Sequence, residues 1–311
     1  MSEPRQIIHD CDPGHDDAIA LMLACASPEI ELLAVTTVAG NVTLENTTTN
    51  ALRVLDLLGR SDIPVAAGRD RPLKRDLSTA AVMHGESGLA GPLPVTPSRG
   101  PSHLTALQLI EQLLTEAVEP LTLVATGPLT NMADVITELP HLHDRIREIV
   151  IMGGAVDLGN WTPAAEFNIW VDPDAAAIVF GAGIPLTMIG LEVTHMAWLG
   201  DEHAEILRGE GLAGQFVAEL LEHFVGFHQE RFGWEGAPIH DAVTIAHLID
   251  PTLVTTMPMN VQIETTSLLC IGRTVADRWS VTGLPTNASV GLSIDRARFV
   301  TLLLGRLALL P

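Results

Sequence analysis

The sequence predicts an α/β fold built on an open, doubly wound and mostly parallel sheet. Three observations lead there. Short β-branched apolar runs alternate with longer runs of helical periodicity. The apolar runs are nearly continuous, as in parallel strands covered on both faces. Hydrophobic residues make up 47% of the 311 residues and charged ones 18%, enough apolar material for a large core and too much for a disordered chain.

In chain order, strands are predicted at Arg5–Asp10, Glu31–Val38, Ile63–Ala67, Leu121–Ala125, Glu148–Met152 and Pro185–Ile189. Helices are predicted between them at Asp16–Ala26, Leu44–Leu58, Leu104–Ala117, Asn131–Glu138 and Pro173–Phe180. This alternation implies right-handed crossovers and a Rossmann-like layout. Extra C-terminal elements follow: helices Gly214–Phe232 and Asp241–Ile249, short strands near Val261–Glu264 and Leu268–Ile271, and a closing helix Arg296–Leu309. No internal repeat or linker-like break interrupts the pattern, so residues 1–311 read as a single domain. Two long loops, Gly68–Ser102 with HGESG and Phe232–His240, are expected to wall or cover an active site.

Charge narrows the function. Seventeen basic against 38 acidic residues give a formal net charge of −21, which repels phosphate backbones and anionic membranes. Neither nucleic acid nor membrane is therefore expected as a partner. No run approaches the ~20 apolar residues of a membrane helix, and MSEPRQIIHD lacks the marks of a signal peptide. Cys11, Cys25 and Cys270 are too scattered for a disulfide framework or a CxxC zinc site. A reduced, cytoplasmic protein is expected. Tyrosine is absent, and the one lysine, Lys74, lies in RDRPLKRD, which reads as a solvated basic loop rather than a catalytic one.

The densest chemical signal is HDCDPGHDDA, His9 to Ala18, with Asp10, Asp12, Asp16 and Asp17 at the end of a strand and the start of an apolar helix. In open α/β sheets ligands bind at that edge. One aspartate suffices to cap the helix. Four carboxylates repel one another unless something positive sits among them. With almost no lysine at hand, a hard divalent cation, Ca²⁺ or Mg²⁺, answers that need. Other readings fit less well: GxGxxG, the P-loop and HExxH are absent, HGESGL is not a GxSxG elbow, and Pro13-Gly14 replaces the Thr or Val expected after DxD in a haloacid-dehalogenase-like phosphatase.

DCDPGHDDA, followed in order by AVTTVAGN, HGESG, TGPLTN, MGGA, AEFN and HDA, resembles the calcium-dependent nucleoside hydrolases from about Ile7 to Ile249. Within that family GNWTPAAEFNIWVDP looks most like the bacterial pyrimidine-specific ribonucleoside hydrolases. The resemblance implies hydrolysis of a ribonucleoside N-glycosidic bond through an oxocarbenium-like transition state, with pyrimidines such as cytidine and uridine favoured. It implies Ca²⁺ as cofactor and a homo-oligomer, dimer or tetramer.

Carried over residue by residue, the resemblance gives the cation to Asp12, Asp17, the backbone carbonyl of Thr126 and Asp241. Asp12 becomes the base acting on the cation's water, and Asp10 orients its neighbours from behind. Asp16, Asn41, Asn160, Glu166 and Asn168 meet the ribose, with Met152 lining the pocket. Glu166 and Asn168 point together into it if that segment is extended. His240 is the expected proton donor to the leaving base, with His84 contacting the base or relaying a proton. Family members often bring a tyrosine from the penultimate long helix; here Phe227, His228, Arg231 and Trp234 occupy that region, while Trp161 and Phe167 are available for an apolar side. Three alternatives stay open at this point: a broader inosine-uridine hydrolase, a metal-dependent phosphatase and a non-catalytic nucleoside-binding protein.

Overall fold

The computed structural model describes residues 3–91 and 96–311; positions 92–95 of the first long loop lie outside the described residues. Its centre is an eight-stranded sheet in the order Val65–Ala67, Ile30–Thr37, Arg5–Cys11, Leu121–Ala125, Ile146–Met152, Leu186–Ile189, Ala288–Ile294 and Val254–Met259. The first seven are parallel, and the last pairs antiparallel to its neighbour. Pro258 in that last strand fits an edge, where a missing N–H breaks no ladder.

Alternation along the strands sorts two cores. Ile7, Val35, Val124 and Val150 face one, covered by helices His15–Ala26, Leu44–Leu57, Gly211–Phe232, Ala242–Ile249 and Arg296–Leu307. Ile8, Ala34, Leu123 and Ile149 face the other, under Ala106–Glu116, Thr130–Glu138 and Pro173–Phe180. Burial on both faces explains the near-continuous apolar runs. The first helix is buried over His15–Ala24, with other helices packed around it. That is why HDDAIALMLACA carries so little polar character beyond its opening turn.

The doubly wound sheet matches expectation, and the first six strands fall within a few residues of the predicted runs. Two corrections concern the C-terminal third. The partner of Val261–Ile263 is Thr274–Ala276, because Leu268–Ile271 forms the turn between them. Val254–Met259 and Ala288–Ile294, unpredicted, complete the main sheet. Their exposed and intermediate positions broke the apolar runs that marked the other strands. Helix Asp201–Arg208 was also unpredicted. Among the described residues no helix is long and apolar enough to cross a membrane.

The basic loop is largely solvated, as expected, with the Lys74 side chain 72% exposed, and its charges are paired: Arg69 with Asp134 at 2.6 Å and Lys74 with Asp174 at 2.6 Å, while the Arg75 guanidinium lies 4.3 Å over the Trp170 ring.

Candidate active site

The parallel strands end at one edge, and the site is built there. The first strand runs out at Cys11, Pro13-Gly14 turns the chain, and the helix starts at His15 with Gly14 as its N-cap. Asp17 sits at the third helical position and accepts the Gly14 N–H at 3.1 Å, so one carboxylate closes the helix start. Asp16 beside it is also favoured by the helix dipole. Asp241, from the far end of the chain, stands at the N-cap of Ala242–Ile249. One carboxylate oxygen from each of Asp16, Asp17 and Asp241 falls within a span of 4.8 Å.

Asp12 lies beneath this group. Two glycines make room for it: a Cβ on Gly40 would stand 2.1 Å from Asp12 Oδ2, and one on Gly127 2.7 Å from Oδ1. Asp12 Oδ2 accepts the Asn41 N–H at 2.6 Å, whereas the buried Oδ1 has no partner. The Asn41 side chain donates to the Asp12 carbonyl and to Asp17 Oδ2, both at 3.1 Å, and so ties the two aspartates together. Asp10 points to the opposite face of the strand. It accepts from Thr36 Oγ1 at 2.6 Å and Asn131 Nδ2 at 2.7 Å, so it braces the strand end rather than touching the other carboxylates.

Five buried carboxylates in one place are held far from their ordinary titration. Burial pushes Asp10 up to about 7 against two lowering hydrogen bonds. Burial, then the charge of Asp17, raises Asp12. Burial, then the charge of Asp16, raises Asp241, and burial raises Asp16 and Asp17 too. Such a cluster is stable when ionised only if a positive charge joins it.

Thr126, just past the strand Leu121–Ala125, connects this floor to the next layer. Its hydroxyl donates to Asp17 Oδ1 at 2.8 Å, and its carbonyl accepts from Asn168 Nδ2 at 2.8 Å. The same amide reaches the Met152 carbonyl at 3.2 Å. The segment holding Glu166 and Asn168 is not extended. Glu166 caps a short helix, Phe167–Val171, accepting from the N–H groups of Asn168 at 2.9 Å, Ile169 at 3.1 Å and Gly154 at 2.9 Å. The two side chains still line one cavity, because a cap and the second helical residue both face the strand ends. Asn160 Oδ1 accepts the Phe167 N–H at 3.0 Å and fixes the loop leading there.

The cavity above, about 210 Å³, is lined by Asp16, Asn41, His84, Thr126, Met152, Asn160, Glu166, Asn168, His240 and Asp241 from among the expected residues. Asp10, Asp12 and Asp17 lie outside its lining. Both long loops supply walls, the first through Ala80, Met83 and His84, the second through Phe232, Trp234 and His240. His84 packs against His15 with ring centres 5.2 Å apart and against Phe224 at 5.6 Å. Burial and the nearby histidines lower the pKa of both His84 and His240, so both rings are neutral at pH 7. His240 Nδ1 lies 2.7 Å from the buried Thr194 hydroxyl.

Of the long-helix residues, Phe224, His228 and Phe232 line the cavity with Trp234, which stacks on His228 at 5.6 Å; Phe227 and Arg231 do not. Trp161 and Phe167 close the other side, edge to face at 4.8 Å. His195 was missed. It meets Trp234 at 5.3 Å and His240 at 5.7 Å, and its only signal in the sequence is its place shortly after the end of a core strand.

The chain belongs to the family whose model, inosine-uridine preferring nucleoside hydrolase, matches residues 7–301. It is accordingly an N-glycosyl hydrolase acting on nucleosides. It is similar to the pyrimidine-specific ribonucleoside hydrolase RihA of Photobacterium profundum, 53% identical over 98% of this chain and 99% of that protein. Its likeness to the same-named protein of Citrobacter koseri is also 53%, over 97% of each chain. Among solved structures, a plant nucleoside hydrolase superposes with a TM-score of 0.92 at 33% identity, covering 98% of this chain and 99% of that one. The purine-preferring ribonucleoside hydrolase from Gardnerella vaginalis gives 0.92 and 33%, with 98% of each covered.

Proposed function

We propose that the chain hydrolyses pyrimidine ribonucleosides, cytidine and uridine foremost, to ribose and free base, with Ca²⁺ as cofactor. The observation that carries this reading is the buried carboxylate floor beneath a cavity walled by histidines and aromatic rings. The base preference is supported by relatives named pyrimidine-specific. The phosphatase and binding-protein readings give way to the family membership.

The donor set fits a hard cation: oxygen ligands only, one buried Asp12 oxygen without a partner, and hydrogen bonds to the cluster from neutral groups. Asp12, Asp17, Asp241 and the Thr126 carbonyl would hold it. A cation there supplies charge that draws in vicinal ribose hydroxyls and acidifies water.

The chain's own residues do the rest. Asp16 and the Asn168 side-chain carbonyl accept from the 2′- and 3′-hydroxyls, with Asn41, Asn160 and Glu166 framing the sugar. Asp12 takes a proton from the water that attacks the anomeric carbon as the bond to the base breaks. Because His240 is neutral, its contribution is an N–H hydrogen bond to the departing base that stabilises the charge building there while the ring keeps its proton. That role needs the ring proton on Nε2, and Nδ1, 2.7 Å from the Thr194 hydroxyl oxygen, would then accept from that hydroxyl. His84 contacts the base, and Met152 packs beside the sugar. We further expect one domain, a homo-oligomeric state of dimer or tetramer, and a cytoplasmic location.

A broader, inosine-accepting specificity is the second reading, favoured by Trp161 and Trp234 in the lining. A reducing-sugar assay across cytidine, uridine, inosine and adenosine separates the two. The first reading expects kcat/KM for the pyrimidines to exceed that for inosine at least tenfold; parity with inosine overturns it.

A further inference from the structure

One buried side chain at the floor has no part in the reaction outlined above. His9, fully buried on the first strand, directs its ring toward the strand end next door, with Nε2 3.0 Å from the Thr126 hydroxyl oxygen. That hydroxyl in turn lies 2.8 Å from Asp17 Oδ1. Nδ1 of His9 is buried with no partner.

Donor and acceptor chemistry fixes the direction of this chain. A carboxylate serving as a cation ligand only accepts, so the single Thr126 proton goes to Asp17. The Thr126 oxygen then accepts, and His9 Nε2 must carry the ring's proton. The other tautomer would strand a buried N–H on Nδ1 and set two acceptors against each other at Nε2, a cost larger than that of a bare ring nitrogen. Asp17 is further held by the Gly14 N–H and the Asn41 amide, both on Oδ2 at 3.1 Å.

We propose that His9 is a positioning residue for the cation site: through its Nε2–H it occupies the lone-pair side of the Thr126 hydroxyl, turns that proton onto Asp17 Oδ1 and so fixes the orientation of this carboxylate. The inference rests on the reading that Asp17 is a Ca²⁺ ligand. Partners one bond behind a metal ligand typically change affinity 10–100-fold when removed. An aliphatic residue fills the space of His9 but offers no donor, whereas glutamine places an N–H at nearly the same reach.

The test combines two measurements on the full chain. In metal-free protein labelled with ¹⁵N at histidine, the His9 ring shifts are expected to report the Nε2–H tautomer; an Nδ1–H ring overturns the proposal whether or not the cation reading holds. Ca²⁺ dissociation constants are then read by chelator competition for wild type, His9→Leu, His9→Gln, Thr126→Val and the Leu–Val double variant. His9→Leu is expected to weaken binding about tenfold and Thr126→Val by 10–100-fold, in the range for such partners. His9→Gln is expected to restore most of the loss, and the double variant to bind no more weakly than Thr126→Val alone. Wild-type affinity in His9→Leu, or losses that multiply in the double variant, overturn the proposal. Wild-type protein that takes up no Ca²⁺ overturns the cation reading instead.

Discussion

The carboxylate floor and the aromatic wall above it differ in how far apart in the chain their residues lie and in what holds them. Asp10, Asp12, Asp16 and Asp17 come from eight consecutive positions, on a strand end and a helix start that the sheet fixes. Each is buried, and Asp10, Asp12 and Asp17 are held by hydrogen bonds of 2.6 to 3.1 Å, while one oxygen each of Asp10 and Asp12 is left without a partner. The wall draws on His84, His195, His228, Phe232, Trp234 and His240, from two long loops, a short helix and the end of the long helix. Its members are held by ring contacts of about 5 to 6 Å, and Trp234 remains 37% exposed. Charge demands exact placement and a rigid frame. Apolar stacking tolerates substitution, which is how a family keeps one reaction while varying the base it accepts.

The floor should therefore be unforgiving. On the proposed mechanism Asp12→Asn removes a proton acceptor and a ligand charge together, and kcat for uridine is expected to fall about 10³-fold. Steady-state kinetics with Ca²⁺ occupancy checked measure it; a fall below about tenfold moves the base elsewhere. The proposed function puts the sugar ring between the two regions, where it should behave like the floor. A deoxyribonucleoside leaves Asp16 and Asn168 without a hydroxyl, so kcat/KM for 2′-deoxyuridine should be at least ~10² lower than for uridine. Equal values would detach both residues from the ribose.

At the wall, losses should depend on the leaving group. His240→Ala is expected to cost about 10² in kcat with uridine and much less with p-nitrophenyl riboside, whose leaving group departs as a stable anion and gains little from a hydrogen bond. Equal losses on both substrates would make His240 part of the frame. The smallest effect concerns stability. Burial raises the Asp10 pKa from 3.8 to about 7, so its contribution to metal-free stability is present below the unfolded value and lost as pH rises through 7. Asp12, Asp16, Asp17 and Asp241 shift the same way. Metal-free protein should lose a few degrees of Tm between about pH 5.5 and 8, and Ca²⁺ should cancel that slope. Calorimetry at the two pH values checks the sign, and a metal-free Tm that rises with pH contradicts it.

The same contrast explains what the sequence disclosed. The floor was legible because its chemistry is packed into HDCDPGHDDA, and the first six strands because burial on both faces leaves unbroken apolar runs. Asp241 was legible only through the resemblance, since a lone Asp before AVTIAHLI is also an ordinary helix start. Glu166 and Asn168 were named for the right cavity with the wrong backbone: two residues apart suggested a strand, but a glutamate that collects three backbone N–H groups is a helix cap. His195 and Thr194 carry no local pattern. Their meaning comes from lying where a strand ends beside His240, which only the assembled sheet reveals. His9 was counted as part of the motif but given no role, because its partner Thr126 is 117 residues away.

The most direct test of the account is uridine hydrolysis by exhaustively chelated protein as Ca²⁺ is returned. Activity is expected to vanish without the ion and to reappear in step with the binding of one Ca²⁺ per chain. Full turnover by protein shown to be metal-free would contradict the role given to the buried aspartates.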